Sequence, residues 1–253
     1  MSKNIEVLFI HQNFPGQYRS LAPELSKING YNIRSLSLKD EGAVDNVSHY
    51  SYSLPRGNGK ETHRLALEFE AKMIRAESAA LKCNQFKREG YTPDLIICHP
   101  GWGESLLVKE VWSNVKVLSY FEFYYNTFNS DIDFPHNETH TENDFFNLKT
   151  KLVARNHTGL MSLVQSDSII CPTKFQADTA PKIFRKDINI IHDGVDTKTL
   201  KREDEAYITV SKNETNETIK LTKRDKVITF VNRNLEPYRG YPIFMRALPE
   251  IFE

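Results

Sequence analysis

Residues 5–17 read IEVLFIHQNFPGQ, and the organisation of the whole chain can be worked outward from that junction. Ile5 to Ile10 is a short apolar run, the pattern of a strand buried on both faces of a parallel sheet. It empties into a polar loop, His11 to Gln17. Tyr18, Leu21, Ala22, Leu25 and Ile28 then recur at helical spacing. Pro23 belongs in a first turn, so the helix starts near Ser20, or starts at Gln17 and kinks. Asn29-Gly30 closes it. Strand, loop and helix in that order are the opening of a βαβ unit.

The same rhythm continues. Residues 31–38 read as a second strand and 47–54 as a weak third. A long helix is predicted over about 61–89, with Leu65, Phe69, Met73, Ala76, Ala80 and Cys83 as its core stripe. Strands are predicted over 94–98, 115–121, 168–172 and 188–194, and helices over 104–112, 143–165 and 173–184. This alternation implies an α/β fold, a doubly wound, mostly parallel, Rossmann-like sheet with helices on both faces. In such sheets ligands bind beyond the carboxyl ends of the strands, at a topological switch point. The loops at 11–17, 99–103, 121–125 and 192–196 all follow strands. The run over 126–143 is polar and irregular, and its length suggests a functional loop such as a lid.

Composition narrows the class. Lys and Arg total 33 against 33 Asp and Glu, so the chain lacks the basic excess of a protein that coats nucleic acid. No apolar run reaches a spanning length, and no signal peptide is visible ahead of the first strand. Cys83, Cys98 and Cys171 lie far apart without CxxC spacing and read as reduced, buried thiols in the cytoplasm. The sequons at 137–139 and 213–215 carry little weight without a secretory signal. The histidines form no HExxH pair, so no metal site is expected.

Several loop residues carry chemistry. Gly16, between the first strand and a helix, lets the backbone approach a phosphate; a turn glycine is the equally weighted alternative. Gln17 lies beside it. His99, Trp102 and Glu104 occupy the loop after the fourth strand. Glu122 stands among Phe121, Phe123, Tyr124 and Tyr125, where a carboxylate is costly unless partnered. Aromatic faces with a carboxylate suit sugar rings and hydroxyls, although core packing is the better reading for Phe121 and Phe123. Arg233 and Arg239 flank Leu-Glu-Pro-Tyr and could grip a diphosphate, or be exposed arginines.

These segments resemble glycosyltransferase family 4, of the two-domain GT-B fold, in its bacterial FPGQ subgroup. The matching stretches are 9–25, 98–112, 119–125, 154–184, 190–197 and 230–252. The resemblance implies a metal-independent, retaining transfer of sugar, with no cofactor beyond the nucleotide-sugar donor as substrate, to a glycan or lipid-linked acceptor, as in polysaccharide biosynthesis. It places Gly16 and Arg233 at the donor phosphates, and Arg239 where a lysine is usual. Glu122 falls near the family's donor-sugar histidine and is the expected catalytic group. Gln17, His99, Trp102, Glu104 and Tyr124 are the expected substrate contacts. A lipid-linked acceptor would bring peripheral membrane contact; the sequence implies no oligomeric state.

The expected organisation is an acceptor-side domain over 1–196, a hairpin insertion and linker over 197–225, and the first strand and helix of a donor domain over 226–253. A non-catalytic carbohydrate- or nucleotide-binding module and a sugar-nucleotide epimerase of related fold are the rivals. A nicotinamide oxidoreductase is disfavoured, because GxGxxG is absent.

Overall fold

The computed structural model describes residues 4–39, 43–128, 141–211 and 217–252. They divide into two compact units, Met1–Asp193 and Gly194–Glu253.

The first unit is built on a seven-stranded sheet. Its strands are β1 (Ile5–Ile10), β2 (Tyr31–Ser37), β3 (Val47–Ser51), β4 (Leu95–Cys98), β5 (Lys116–Tyr120), β6 (Ser168–Cys171) and β7 (Ile188–Ile190). The order is β3-β2-β1-β4-β5-β6-β7, and every pairing is parallel. The chain winds outward from β1 to β3, crosses back, and winds the other way from β4 to β7. The doubly wound expectation therefore holds, with the reversal between β1 and β4.

The two-residue period of β1 explains why helices cover both faces. Leu8 and Ile10 pack with Ala79, Cys83 and Phe86 of α2 (Leu67–Arg88) and with Val108 and Val111 of α3 (Val108–Val111). Val7 and Phe9 turn the other way, toward Phe14, Tyr18 and Ala22 of α1 (Leu21–Ser26). A third cluster joins Phe121, Ile169 and Cys171 to Leu163 of α4 (Glu142–Val164) and Ala177 of α5 (Lys174–Thr179). A side chain of this size contributes roughly 1.5–3 kcal/mol when fully buried. All three cysteines are buried free thiols.

Local chemistry sets the ends. Ser20 precedes α1, which puts Pro23 in the first turn and avoids the kink. Helix α4 opens with a capping box: Thr141 accepts from the Asp144 amide, and Asp144 accepts from the Thr141 amide. Pro181 cannot continue a helix, so the one expected over 173–184 splits into α5 and α6 (Lys182–Arg185).

The helix expected over 104–112 shrinks to α3, because 101–107 are taken up by tight turns beyond the carboxyl end of β4. Helix α2 starts at Leu67 rather than near residue 61. Its buried face is Ile74, Ala76, Ala79, Cys83 and Phe86. Phe69 and Met73, assigned to the stripe from spacing, are only half-buried.

The second unit holds an antiparallel pair, β8 (Tyr207–Ser211) with β9 (Thr218–Thr222), and a helix, α7 (Tyr241–Phe252). The hairpin was expected; its turn, 212–216, lies outside the described residues. Residues 227–231, the strand expected to open the 226–253 segment, find no ladder partner among the described residues, and an unpaired extended segment is not a strand. Most of the expected lid over 126–143 also lies outside the described residues.

Candidate functional site

Three loops at the carboxyl ends of neighbouring strands meet on the first unit. After β1, His11 is buried beneath the surface. Its Nδ1 accepts the Asn13 amide hydrogen at 3.0 Å, which leaves Nε2–H to donate to Gln17 Oε1 at 2.6 Å. Burial, reinforced by the neighbouring His99, pulls its pKa down to about 4, so His11 is a neutral spacer at pH 7.

After β4, His99 repeats the pattern. Its Nδ1 accepts the Gly101 amide hydrogen at 3.1 Å, and Nε2–H donates to Glu122 Oε2, also at 3.1 Å. The two imidazoles sit edge to face, their centroids 5.7 Å apart. After β5, Glu122 receives that hydrogen bond. The His99 bond, with help from Gln17, holds its carboxyl below the ordinary carboxylate range despite partial burial. Its side chain remains 44% exposed, so an ionised carboxylate with fixed orientation faces out. This answers the cost of a carboxylate among aromatics: two donors from two other strands partner it.

Beyond Glu122 lies a cavity of about 240 Å³. Its floor is Phe121, Phe123, Tyr124 and the loop His99–Trp102, and its walls are α2 and α4. Trp102 leans over His99 at 5.6 Å between centroids and keeps 37% of its surface exposed at the rim. The Asn156 carboxamide ties the floor to α4 by clamping Tyr125, accepting its N–H at 2.9 Å and donating to its carbonyl at 2.8 Å. Lys72 and Arg75 enter from α2 and Arg155 from α4.

Of the residues expected to bind or react, Glu122, His99, Trp102 and Tyr124 line this cavity, and Gln17 braces it from behind. Glu104 does not. It is 1% exposed, away from the cavity, and accepts the Tyr52 hydroxyl at 2.7 Å. Burial raises its pKa. Glu104 is thus a correction: a packed carboxyl that anchors the loop, placed out of reach by the tight turn at 101–107.

Gly16 also has a different reason for being glycine. Its φ is +47°, and a Cβ there would land on the His11 ring. Gly16 opens a short 3-10 turn, Gly16–Tyr18, and the α-helix follows from Leu21. Arg233 and Arg239 belong to the second unit. Arg239 donates to Glu236 at 2.6 Å and to Asn232 at 3.1 Å, so its guanidinium is already engaged.

Sequence reasoning missed His11, Lys72, Arg75, Arg155 and Asn156. The helical ones were readable only as a solvated face, since nothing in one helix says which polar residue meets a strand end. Among the described residues no group of three or more His, Cys, Asp or Glu could hold a metal. No helix among them is long and apolar enough to cross a membrane.

The family model of the glycosyl transferase family 4 group matches residues 29–200, more than half of the chain and nearly all of the sheet. The chain belongs to that family. No curated protein matches it. Among solved structures, it is similar to UDP-GlcNAc 2-epimerase from Neisseria meningitidis bound to UDP-GlcNAc, at 12% identity and TM-score 0.39, over 74% of this chain and 45% of that one. It is similar to UDP-GlcNAc 2-epimerase from Methanocaldococcus jannaschii, at 9% identity and TM-score 0.42, over 74% and 45%. It is also similar to Os79 from O. sativa in complex with UDP and deoxynivalenol-3-glucoside, at 10% identity and TM-score 0.43, over 68% and 47%. The family 4 chain described here thus spans less than half the length of these structures.

Proposed function

We propose that this chain is the acceptor-side portion of a retaining glycosyltransferase, which moves a sugar from a nucleotide-sugar donor to a glycan or lipid-linked acceptor. The observation that carries the reading is Glu122: an ionised carboxylate held by His99 and Gln17 at the rim of an aromatic cavity, at the strand ends where the sheet reverses. Such a group accepts a hydrogen bond from an acceptor hydroxyl and orients its oxygen toward an anomeric carbon. Trp102 and Tyr124 offer faces for the acceptor's ring. The bond to the nucleoside diphosphate breaks as the glycosidic bond forms, and the electron pair leaves with the diphosphate. Arg233 and Arg239 are the proposed donor-phosphate contacts, by family resemblance; for Arg239 this requires exchanging Glu236 for the donor.

The test is product analysis. Nucleotide sugars are supplied with glycan acceptors, and the product is read by mass and by the anomeric proton resonance. A glycoside with the donor's anomeric configuration is expected, with Glu122→Gln lowering turnover on the order of 10²-fold or more, as loss of a positioned proton acceptor does. An inverted product would remove the retaining assignment. Free nucleoside diphosphate with an isomerised sugar would make the chain an epimerase. Turnover with any donor would exclude the rival reading of a carbohydrate-binding module.

A further inference from the structure

The cavity wall opposite Glu122 is more cationic than a neutral sugar requires. Lys72 and Arg75 are three residues apart on α2, on one face of the helix. Arg155 reaches them from α4. Among the described residues, the carboxylate within ion-pair distance of this group is Glu68, which Lys72 approaches at 3.6 Å and Arg155 at 3.8 Å. Both distances are long, and one acid serves two cations.

Lys72 keeps only 12% of its side chain exposed and spends a proton on the Arg155 carbonyl at 3.3 Å. Burial, together with the positive charge of Arg155 and Arg75, lowers its pKa. Arg155 stacks over the Tyr125 ring at 3.7 Å, which fixes its plane against the cavity floor. Arg75 has no carboxylate within ion-pair distance among the described residues. Its Nη1 donates to the Trp102 carbonyl at 3.2 Å, and its buried Nε has no partner. The acid behind it, Glu104, is engaged with Tyr52.

Lys72 and Arg155 share Glu68, and Arg75 feels only the buried Glu104 behind it, so crowding the three cations costs electrostatic energy that an anion arriving in the cavity would recover. Lysine and arginine donate hydrogen bonds and accept none, whereas a neutral sugar's hydroxyls need acceptors as well. The cavity is therefore polarised, with the Glu122 carboxylate at one end and three cationic donors beside Glu68 at the other.

We infer that the acceptor of this enzyme is anionic, carrying a phosphate or a carboxylate that Lys72, Arg75 and Arg155 hold while its hydroxyl is presented to Glu122. The inference rests on reading this cavity as the acceptor site. A phosphate would come from a lipid-phosphate-linked glycan, a carboxylate from an acidic sugar. The recognition chemistry is shared: charge-assisted hydrogen bonds to guanidinium and ammonium groups beside an aromatic floor.

The experiment is binding, measured by calorimetry on the full chain with phenyl β-glucuronide, phenyl β-glucoside and phenyl phosphate. These probes share an aglycone and differ in charge. The glucuronide or the phosphate is expected to bind on the order of 10-fold tighter than the glucoside, the scale of one charge-assisted hydrogen bond. Tighter phenyl phosphate assigns a phosphate-bearing acceptor; tighter glucuronide assigns an acidic sugar. Arg75→Gln and Arg155→Gln should each erase the preference, read as the ratio of anionic-probe to glucoside affinity within the same variant.

Should either variant fail to fold, the wild-type salt titration decides instead. The anionic probes must weaken with salt and the glucoside must not. Equal affinity for all three probes would overturn the inference. So would a preference that survives both substitutions or ignores salt; the three cations would then serve to join α2 to α4. A preserved anion preference alongside free nucleoside diphosphate and an isomerised sugar would uphold the anion site and sink the transferase reading alone.

Discussion

Residues 95–98 and 227–231 begin as the same kind of sequence: LIIC and VITFV, short apolar runs followed by polar loops. The first became β4, paired with β1 on one side and β5 on the other. The second pairs with nothing among the described residues. The contrast extends to the units that contain them. The Met1–Asp193 unit buries three apolar clusters, whereas no described residue of Gly194–Glu253 is fully buried. An apolar run is therefore only an offer of a strand. Its backbone groups must find partners and its side chains must find cover before the offer is taken up.

Hydrogen exchange is the most sensitive way to break this comparison. Amides of β1 and β4 should exchange only on global opening. Those of 226–232 should exchange through local fluctuation, faster by on the order of 10³ or more. Equal protection in the two segments would show that the second is held by contacts as strong as the first.

Next in size are core truncations. Ile96→Ala, at a fully buried position between two helical layers, should cost about 2–5 kcal/mol in chemical denaturation. Ile243→Ala in α7, where the side chain is 52% exposed, should cost less than about 1 kcal/mol. Similar losses at both sites would contradict the difference in burial.

Acid should act on the first unit through His11. Unfolding returns its pKa from about 4 to the ordinary 6.5. The unfolded chain therefore takes up a proton first as pH falls. Stability held above about 6.5 should decline between 6.5 and 4, by on the order of 3 kcal/mol at most. His99 and Glu122 face the same ring. The slope over that window should shrink in His11→Asn; an unchanged slope would place the acid sensitivity elsewhere.

The smallest effect compares two glycines. Gly16 and Gly240 both have positive φ, +47° and +81°. A Cβ at Gly240 meets nothing, so Gly240→Ala should cost about 1–2 kcal/mol of backbone strain. Gly16→Ala adds a collision with the His11 ring and should cost more, with a loss of Glu122 function as Gln17 shifts. Equal costs at the two positions would mean that the ring moves aside freely.

The sequence alone was enough for the first unit's architecture, because its signals are local and periodic. Ile5–Ile10 and Ser168–Cys171 are apolar runs of strand length, each followed by a helix with a recognisable start. Gly30 and Gly90 mark where preceding helices stop, and Pro23 and Pro181 constrain where helices begin or break. Such patterns depend on dihedral preference and side-chain period, which a residue carries with it.

Four cavity-lining residues, His99, Trp102, Glu122 and Tyr124, were also legible, since loops after parallel strands gather at one edge. What only the tertiary structure decided was which polar groups meet there. Glu104 reads like a site carboxylate five residues after a histidine's strand, but a tight turn sends it into the core with Tyr52. His11 looks like an ordinary loop residue, yet it fills the space Gly16 leaves empty and holds Gln17 in place. Lys72, Arg75 and Arg155 share a cavity because α2 and α4 pack side by side, though Lys72 and Arg155 lie 83 positions apart in the chain. Hydrogen bonding and charge act across space, and adjacency in space is a property of the folded chain rather than of any segment of it.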